Sequence, residues 1–184
     1  MTRNALLVID LQNAVFDGRQ IPPVYRAEQL LANATALLHT ARQLGMAVVH
    51  VQHCAPAGEP LEEGGPGWPI YQPLAPVAGE SVVQKRFSSA FAETRLHSLL
   101  KVSAVRSVVV TGIQSELCVA ATCHAARMLG YHVCLASDAH STWPDHAHTA
   151  DAIVAAQNLD LSTAGIELHP TMELIAAMPR LFQS

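Results

Sequence analysis

The chain has 184 residues, of which 50% are hydrophobic and 14% charged, and its formal net charge is -4. This length and composition predict one well-packed domain over residues 1–184. The acidic balance and the absence of any Lys/Arg run argue against binding to nucleic acid or to an anionic membrane, so the expected partner is a small molecule. No segment is close to the roughly 18 continuous apolar residues of a membrane span, and no signal-peptide pattern precedes the first strand, which predicts a cytoplasmic protein.

Short β-branched runs alternate with helical patterns along the chain. In chain order, the predicted elements are a strand at 5–9, a helix at 27–44, a strand at 47–51, a strand at 81–84, a helix at 92–101, a strand at 107–111, a helix at 118–129, a strand at 131–135, a helix at 145–159, a strand at 165–168 and a helix from 171. This alternation predicts parallel β-α-β units, and hence an α/β protein with a three-layer α/β/α Rossmann-like fold. Its sheet should be mainly parallel, with about six strands.

A Pro- and Gly-rich segment, residues 55–79, separates the second and third predicted strands. Irregular segments of this length in compact domains commonly serve as lids or binding loops. The sequence leaves open whether this one is a lid or a contact between subunits.

Three reactive side chains lie beyond strand ends in this pattern. Asp10 follows the first strand, Lys85 follows the third, and Cys118 lies after the turn that ends the fourth. In a doubly wound sheet of order 3-2-1-4-5, strands one and four are neighbours at the switch point where ligands bind, which brings Asp10 beside Cys118. A carboxylate can take a thiol proton, an ammonium stabilises two close anions, and a thiolate attacks a carbonyl carbon. Together the three residue types predict covalent catalysis at this edge.

Cys118 is the predicted nucleophile. Ser115 is the expected N-cap of the following helix, which places Cys118 in the first turn, where free N–H groups and the helix dipole favour an anion. A thiol pKa of about 8.5 can fall by one to several units there, so part of the thiol is expected to be thiolate at neutral pH. The alternative is a small buried apolar residue, as we expect for Cys54, Cys123 and Cys134.

Three blocks of sequence resemble the signatures of the isochorismatase-like cysteine hydrolases, the superfamily of nicotinamidase, N-carbamoylsarcosine amidohydrolase and isochorismatase. The blocks are DLQNAVF at 10–16, KRFSSAF at 85–91 and GIQSELCV at 112–119. The resemblance implies a six-stranded Rossmann-like domain with Asp10, Lys85 and Cys118 as catalytic triad. It also implies hydrolysis of a C–N bond in a small amide, imide or carbamoyl substrate through a thioester.

The same resemblance implies further features of the site and of the assembly. A cis peptide bond is expected between Ile113 and Gln114, directing the N–H of Gln114, with that of Cys118, at a developing oxyanion. Members of the family often form dimers or tetramers, so a homo-oligomer is expected here.

Departures from the subfamilies narrow the expected chemistry. Nicotinamidases bind a metal through an Asp and two His after the second strand, whereas this chain has His50 and His53 there and no carboxylate before Glu59. Two imidazoles without a third ligand are usually packing or hydrogen-bonding residues, so we expect neither a metal nor a cofactor. True isochorismatases typically lack the cysteine, so Cys118 favours an amide-like carbonyl. Two alternatives stay open: a vinyl-ether hydrolase of the isochorismate type, and a non-catalytic binder or thiol redox sensor.

Aromatic residues in the segments after strand ends are the predicted pocket walls. They are Phe16, Trp68, Tyr71, Phe87 and Trp143. Trp68 and Tyr71 could equally pack the long loop down or form a subunit contact. The histidines near the start of the fourth predicted helix, His140, His146 and His148, indicate a solvated surface instead of a metal site.

Overall fold

The computed structural model describes residues 3–181, and its centre is a sheet of six parallel strands. The strands are β1 (Arg3–Ile9), β2 (Ala47–His53), β3 (Ser81–Lys85), β4 (Val105–Ile113), β5 (His132–Ser141) and β6 (Glu167–His169). They lie in the order β3-β2-β1-β4-β5-β6, and every neighbouring pair is parallel. The predicted fold class and the predicted strand order are confirmed. The ends of the predicted domain, residues 1–2 and 182–184, lie outside the described residues.

Helices cover both faces of this sheet. They are α1 (Asn13–Phe16), α2 (Ala27–Gln43), α3 (Leu96–Val102), α4 (Ala120–Met128), α5 (Ala150–Thr163) and α6 (Thr171–Leu181). The core on one face joins the sheet to α2 and α6, and the core on the other face joins it to α3, α4 and α5. None of the helices within 3–181 is long and apolar enough to cross a membrane.

β1 lies in the middle of the sheet and is apolar on both sides. Leu6 and Val8 belong to the core beneath α2, whereas Leu7 and Ile9 belong to the core beneath α3 and α4. Each buried aliphatic side chain of this kind contributes about 1.5–3 kcal/mol. A strand that is buried on both faces reads as a continuous apolar run, which is why the sequence predicts β1 so clearly.

Two helices begin later than predicted because polar side chains form turns before them. Before α3, Thr94 Oγ1 donates to the Ala90 carbonyl and accepts the N–H of Leu96. Before α5, Asp145 accepts backbone N–H groups in the turn that follows it, and Thr149 caps the helix. Such side chains offer the backbone an alternative to helical hydrogen bonds.

Gly112 allows β4 to approach β1 closely at the carboxyl edge of the sheet. Its φ is +139°, and a Cβ atom there would overlap the carbonyl oxygen of Ile9. The pairing of β4 with β5 also shifts register between Val110 and Gly112. This glycine therefore leads the chain from β4 into the turn that carries Cys118.

Candidate active site

Asp10, Lys85 and Cys118 meet at the carboxyl edge of the sheet. Asp10 follows β1 with a φ of 55°, Lys85 ends β3, and Cys118 lies in a π-helical turn, Ser115–Val119, that precedes α4. The Lys85 Nζ atom is 2.7 Å from Asp10 Oδ2 and 3.1 Å from Cys118 Sγ. The structure thus brings together the three side chains that the sequence singles out, with the ammonium between the carboxylate and the thiol.

The Lys85 ammonium is buried and its hydrogen-bonding capacity is used within the protein. Besides Asp10 and Cys118, it lies 3.2 Å from His53 Nδ1 and 3.2 Å from the Phe87 carbonyl oxygen. Burial alone would lower the pKa of Lys85, but the charges of Asp10 and Cys118 and their hydrogen bonds raise it above its ordinary value. Lys85 is therefore a fixed cation with three N–H groups and four acceptors around it.

Burial opposes ionisation of both the carboxyl and the thiol. It raises the pKa of Asp10 above its ordinary value, against the charge and hydrogen bonds of Lys85, which lower it. The Oδ1 atom of Asp10 is buried and, within the described residues, accepts no hydrogen bond from a nitrogen or oxygen donor. Burial and the Asp10 charge raise the pKa of the Cys118 thiol to about 11, although Lys85 lowers it. The expectation of a lowered thiol pKa is therefore wrong.

The local backbone explains part of this difference. Ser115 is not an N-cap: the capping position belongs to Gln114, with no side-chain cap, and the first turn after it is π-helical. The Ser115 hydroxyl instead lies 2.8 Å from His140 Nδ1. Cys118 therefore lacks the capped α-helical first turn on which a strong stabilisation of the thiolate depends.

His140 is a buried structural residue, which corrects its assignment to a solvated surface. Its Nε2 atom lies 2.9 Å from Asn158 Oδ1, and its Nδ1 atom contacts Ser115. Burial lowers its pKa, so the ring is neutral at pH 7. His146 and His148 are exposed, as expected. His140 ends up inside because β5 runs on to Ser141, six residues beyond the predicted strand end.

A cavity of about 530 Å³ opens above the triad. Asp10 and Cys118 lie at its floor together with Gln114, and the peptide bond between Ile113 and Gln114 is cis. Most of the remaining lining is apolar, including Val15, Ile21, Pro22, Pro60, Leu61 and Leu117. The space suits a small molecule whose reactive carbonyl reaches the thiol while its apolar part contacts the walls.

Of the predicted aromatic walls, only Trp143 lines this cavity. Its indole Nε1 donates to the Pro22 carbonyl at 2.7 Å, which fixes the ring. Phe16 stacks on Tyr71 with ring centroids 4.5 Å apart, so these two rings fasten the long loop to α1. Phe16 and Tyr71 are therefore packing residues, and their predicted place in the pocket wall is wrong.

Trp68 and Phe87 are also not among the residues that line the cavity. The Trp68 indole donates to Cys54 Sγ at 3.4 Å, and its carbonyl accepts from Gln12 Nε2 at 2.7 Å. Phe87 is 48% exposed, and its carbonyl oxygen, not its ring, contacts Lys85 by accepting a hydrogen bond from the ammonium. Trp68 thus packs the loop 55–79 onto the sheet edge, one of the two roles that the sequence left open for it.

Two polar residues of the site were missed as site residues. His53 lines the cavity beside Lys85, and burial, followed by the Lys85 charge, lowers its pKa to about 4, so it is a neutral acceptor for the ammonium. Gln12 is fully buried and bridges His53 to the loop: its Oε1 accepts the His53 N–H, and its Nε2 donates to the carbonyls of His53 and Trp68. Their positions after strand ends were the available signal.

The side chains of His50 and His53 contact different groups of the protein. The His50 Nε2 atom lies 2.9 Å from Glu80 Oε2, whereas the His53 Nδ1 atom lies 3.2 Å from Lys85 Nζ. Elsewhere in residues 3–181, the side chains of His132, Cys134 and Glu167 offer ligand atoms within 4.8 Å of one another. This group lies on β5 and β6 and takes no part in the lining of the cavity.

The parallel sheet and the Asp-Lys-Cys cluster at its carboxyl edge define an α/β/α domain of the isochorismatase type. The sequence model of the isochorismatase domain matches residues 4–164, and the chain belongs to this family. It is 37% identical over 158 residues to a streptothricin hydrolase from Streptomyces noursei, covering 83% of this chain but only 56% of that relative. The chain therefore spans little more than half the length of that protein.

Two further comparisons cover more of the other protein. A ureidoacrylate amidohydrolase from Stutzerimonas stutzeri is 28% identical to this chain, and the alignment covers 81% of this chain and 74% of that relative. The crystal structure of an isochorismatase family protein from Desulfovibrio vulgaris Hildenborough superposes with a TM-score of 0.87 at 27% identity. That superposition covers 98% of this chain and 100% of the other.

Proposed function

We propose that this protein is a cysteine-dependent amidohydrolase that cleaves a C–N bond in a small amide, imide or carbamoyl substrate through a thioester on Cys118. The observation that carries the proposal is the position of the Lys85 ammonium, 2.7 Å from Asp10 and 3.1 Å from the Cys118 sulfur, at the floor of an apolar cavity. Two relatives support it by name, since one is a streptothricin hydrolase and the other a ureidoacrylate amidohydrolase.

The raised thiol pKa requires a base within the site. With a pKa of about 11, only roughly 10⁻⁴ of the thiol is ionised at pH 7, so attack depends on proton transfer as the carbon–sulfur bond forms. Asp10 is the acceptor in this proposal: its Oδ1 atom is free of nitrogen and oxygen donors within the described chain, and its raised pKa suits a group that takes up and releases a proton. The Lys85 cation stabilises both the carboxylate and the developing thiolate.

The reaction then proceeds in two halves. The Cys118 sulfur attacks the substrate carbonyl, Asp10 takes the thiol proton, and the N–H groups of Gln114 and Cys118 hold the oxyanion. Collapse breaks the C–N bond, and Asp10 gives its proton to the departing nitrogen. A water molecule, deprotonated by Asp10, attacks the thioester, and collapse releases the acid and returns the proton to the Cys118 sulfur.

Substitution of the cysteine tests the proposal. A panel of small amides, imides and carbamoyl compounds is assayed with the wild type, with Cys118→Ala and with Cys123→Ala. The last variant is the control, because it makes the same substitution at a buried cysteine of α4. We expect Cys118→Ala to lose turnover while its unfolding curve stays close to that of the wild type, and Cys123→Ala to retain turnover. If Cys118→Ala keeps its rate within about tenfold of the wild type, covalent catalysis is wrong.

A further inference from the structure

The charged groups around the cavity are unevenly distributed. The described residues that line it include the carboxylates Asp10 and Glu59 but neither lysine nor arginine. The buried Lys85 has all of its N–H groups engaged by protein acceptors, and the side chain of the adjacent Arg86 is 2.6 Å from Glu63, outside the cavity. A substrate carboxylate that entered would lose water without gaining a cation.

Glu59 is the charged residue of the long loop that lines this cavity. Its backbone is fixed by two turns, since its N–H donates to the Pro56 carbonyl and its own carbonyl accepts from Glu62. Unlike Glu63, it has no ion-pair partner among residues 3–181. Its neighbours Pro60 and Leu61 belong to the apolar wall. A free carboxylate beside an apolar wall is the arrangement that binds an ammonium group attached to a hydrocarbon body.

We infer that the cavity selects amide substrates that carry a cationic group next to an apolar body, and that Glu59 is the residue that favours them over carboxylates. The inference rests on the proposed function, because it takes Cys118 as the reactive end of the cavity. It narrows the substrate class: the cationic group lies away from the scissile bond, toward the loop, while the carbonyl lies over the thiol.

Three reagents of similar size and identical reactive group test this inference without a known substrate. They are N-propyl-, N-(2-aminoethyl)- and N-(carboxymethyl)-iodoacetamide, which end in a methyl, an ammonium and a carboxylate. In each case the Cys118 sulfur forms a C–S bond, iodide leaves, and the thiol proton passes to Asp10 or solvent. Alkylation rates are read from the mass of the Cys118 peptide at pH 7.5 and are divided by the rates with a free small thiol.

The expected order at Cys118 is ammonium, then methyl, then carboxylate, with the first and last about tenfold apart. Glu59→Gln should slow alkylation by the ammonium reagent about threefold, which is the effect expected from the loss of one exposed ion pair, and should leave alkylation by the methyl reagent unchanged. Glu59→Lys should bring the carboxylate reagent level with the ammonium reagent, and raised salt should reduce all these differences. Glu173→Gln, which makes the same charge change on α6, should leave the order as in the wild type.

The possible failures separate the two claims. Equal normalised rates for the three reagents, or a ratio of ammonium to methyl rates in Glu59→Gln that equals the ratio in the wild type and in Glu173→Gln, would refute the inference and leave the proposed function standing. Failure of all three reagents to label Cys118 would refute the proposed function, and the inference with it.

Discussion

Replacing Lys85 with Met leaves the Asp10 carboxyl buried without its cation. The wild-type ammonium lies 2.7 Å from Asp10 Oδ2, and Asp10 is 2% exposed, so the carboxyl of the variant must keep a proton to remain in the folded site. The unfolded chain ionises it with the ordinary pKa of 3.8. The cost of folding is therefore the free energy of protonating Asp10 at the pH of the experiment.

This cost has a defined size and a defined sign. About 3.2 pH units separate pH 7 from the unfolded pKa of 3.8, and at about 1.36 kcal/mol per unit the loss of unfolding free energy relative to the wild type is at most about 4 kcal/mol. At pH 5 the same reasoning gives about 1.6 kcal/mol. Burial raises the folded pKa of Asp10, and the variant lacks the Lys85 cation that lowers it. The neutral carboxyl is therefore compatible with the fold of the variant at low pH, and stability is lost as the pH rises.

Urea unfolding of the wild type and of Lys85→Met, each at pH 7 and pH 5, measures this difference. Adding Asp10→Asn to the variant should recover most of the loss at pH 7, because a neutral amide needs no proton. Lys101→Met, which removes an exposed lysine from α3, is the matched control and should unfold as the wild type does. A Lys85→Met variant whose loss of stability is absent, or is the same at both pH values, would refute this account of the buried pair.

The remaining predictions concern the thiol, metals and the sheet edge. Asp10→Asn should cut turnover by roughly 10², because the group that takes the thiol proton and returns it to the departing nitrogen is gone; turnover within tenfold of the wild type would contradict this role. Prolonged chelation should leave turnover unchanged, and a loss of turnover that added zinc restores would show otherwise. Gly112→Ala should lower the free energy of unfolding by about 3 kcal/mol or more, because its Cβ meets the Ile9 carbonyl, whereas Gly79→Ala, also at positive φ but in open space, should cost only about 1 kcal/mol.

The fold and the meeting of the three reactive residues could be predicted because both depend on local pattern. Apolar runs such as β1 are buried on both faces, and their alternation with amphipathic helices permits few topologies. Once β1 and β4 are neighbours, Asp10 and Cys118 lie at the same edge by the geometry of parallel strands. The position of Lys85 follows from the end of β3 in the same way.

The properties of those residues could not be predicted, because they depend on tertiary packing. The pKa of Cys118 is set by how deeply the turn is buried and by the Asp10 charge, neither of which the spacing of residues reveals. His140 is buried only because β5 extends past its apolar run. The aromatic residues Trp68 and Tyr71 pack the loop instead of the pocket, and the path of a long loop is not encoded in a periodic pattern.

The acyl-enzyme is the most direct test of the central claim that Cys118 attacks the substrate. The best amide of the substrate panel is mixed with excess protein, and the reaction is quenched in acid within one turnover. The protein is then digested, and the masses of its peptides are measured by mass spectrometry. We expect the Cys118 peptide to gain the mass of the acyl group, and hydroxylamine to remove that mass, as it does for a thioester. Release of the amine without an acyl group on Cys118, together with unchanged turnover in Cys118→Ala, would contradict the account.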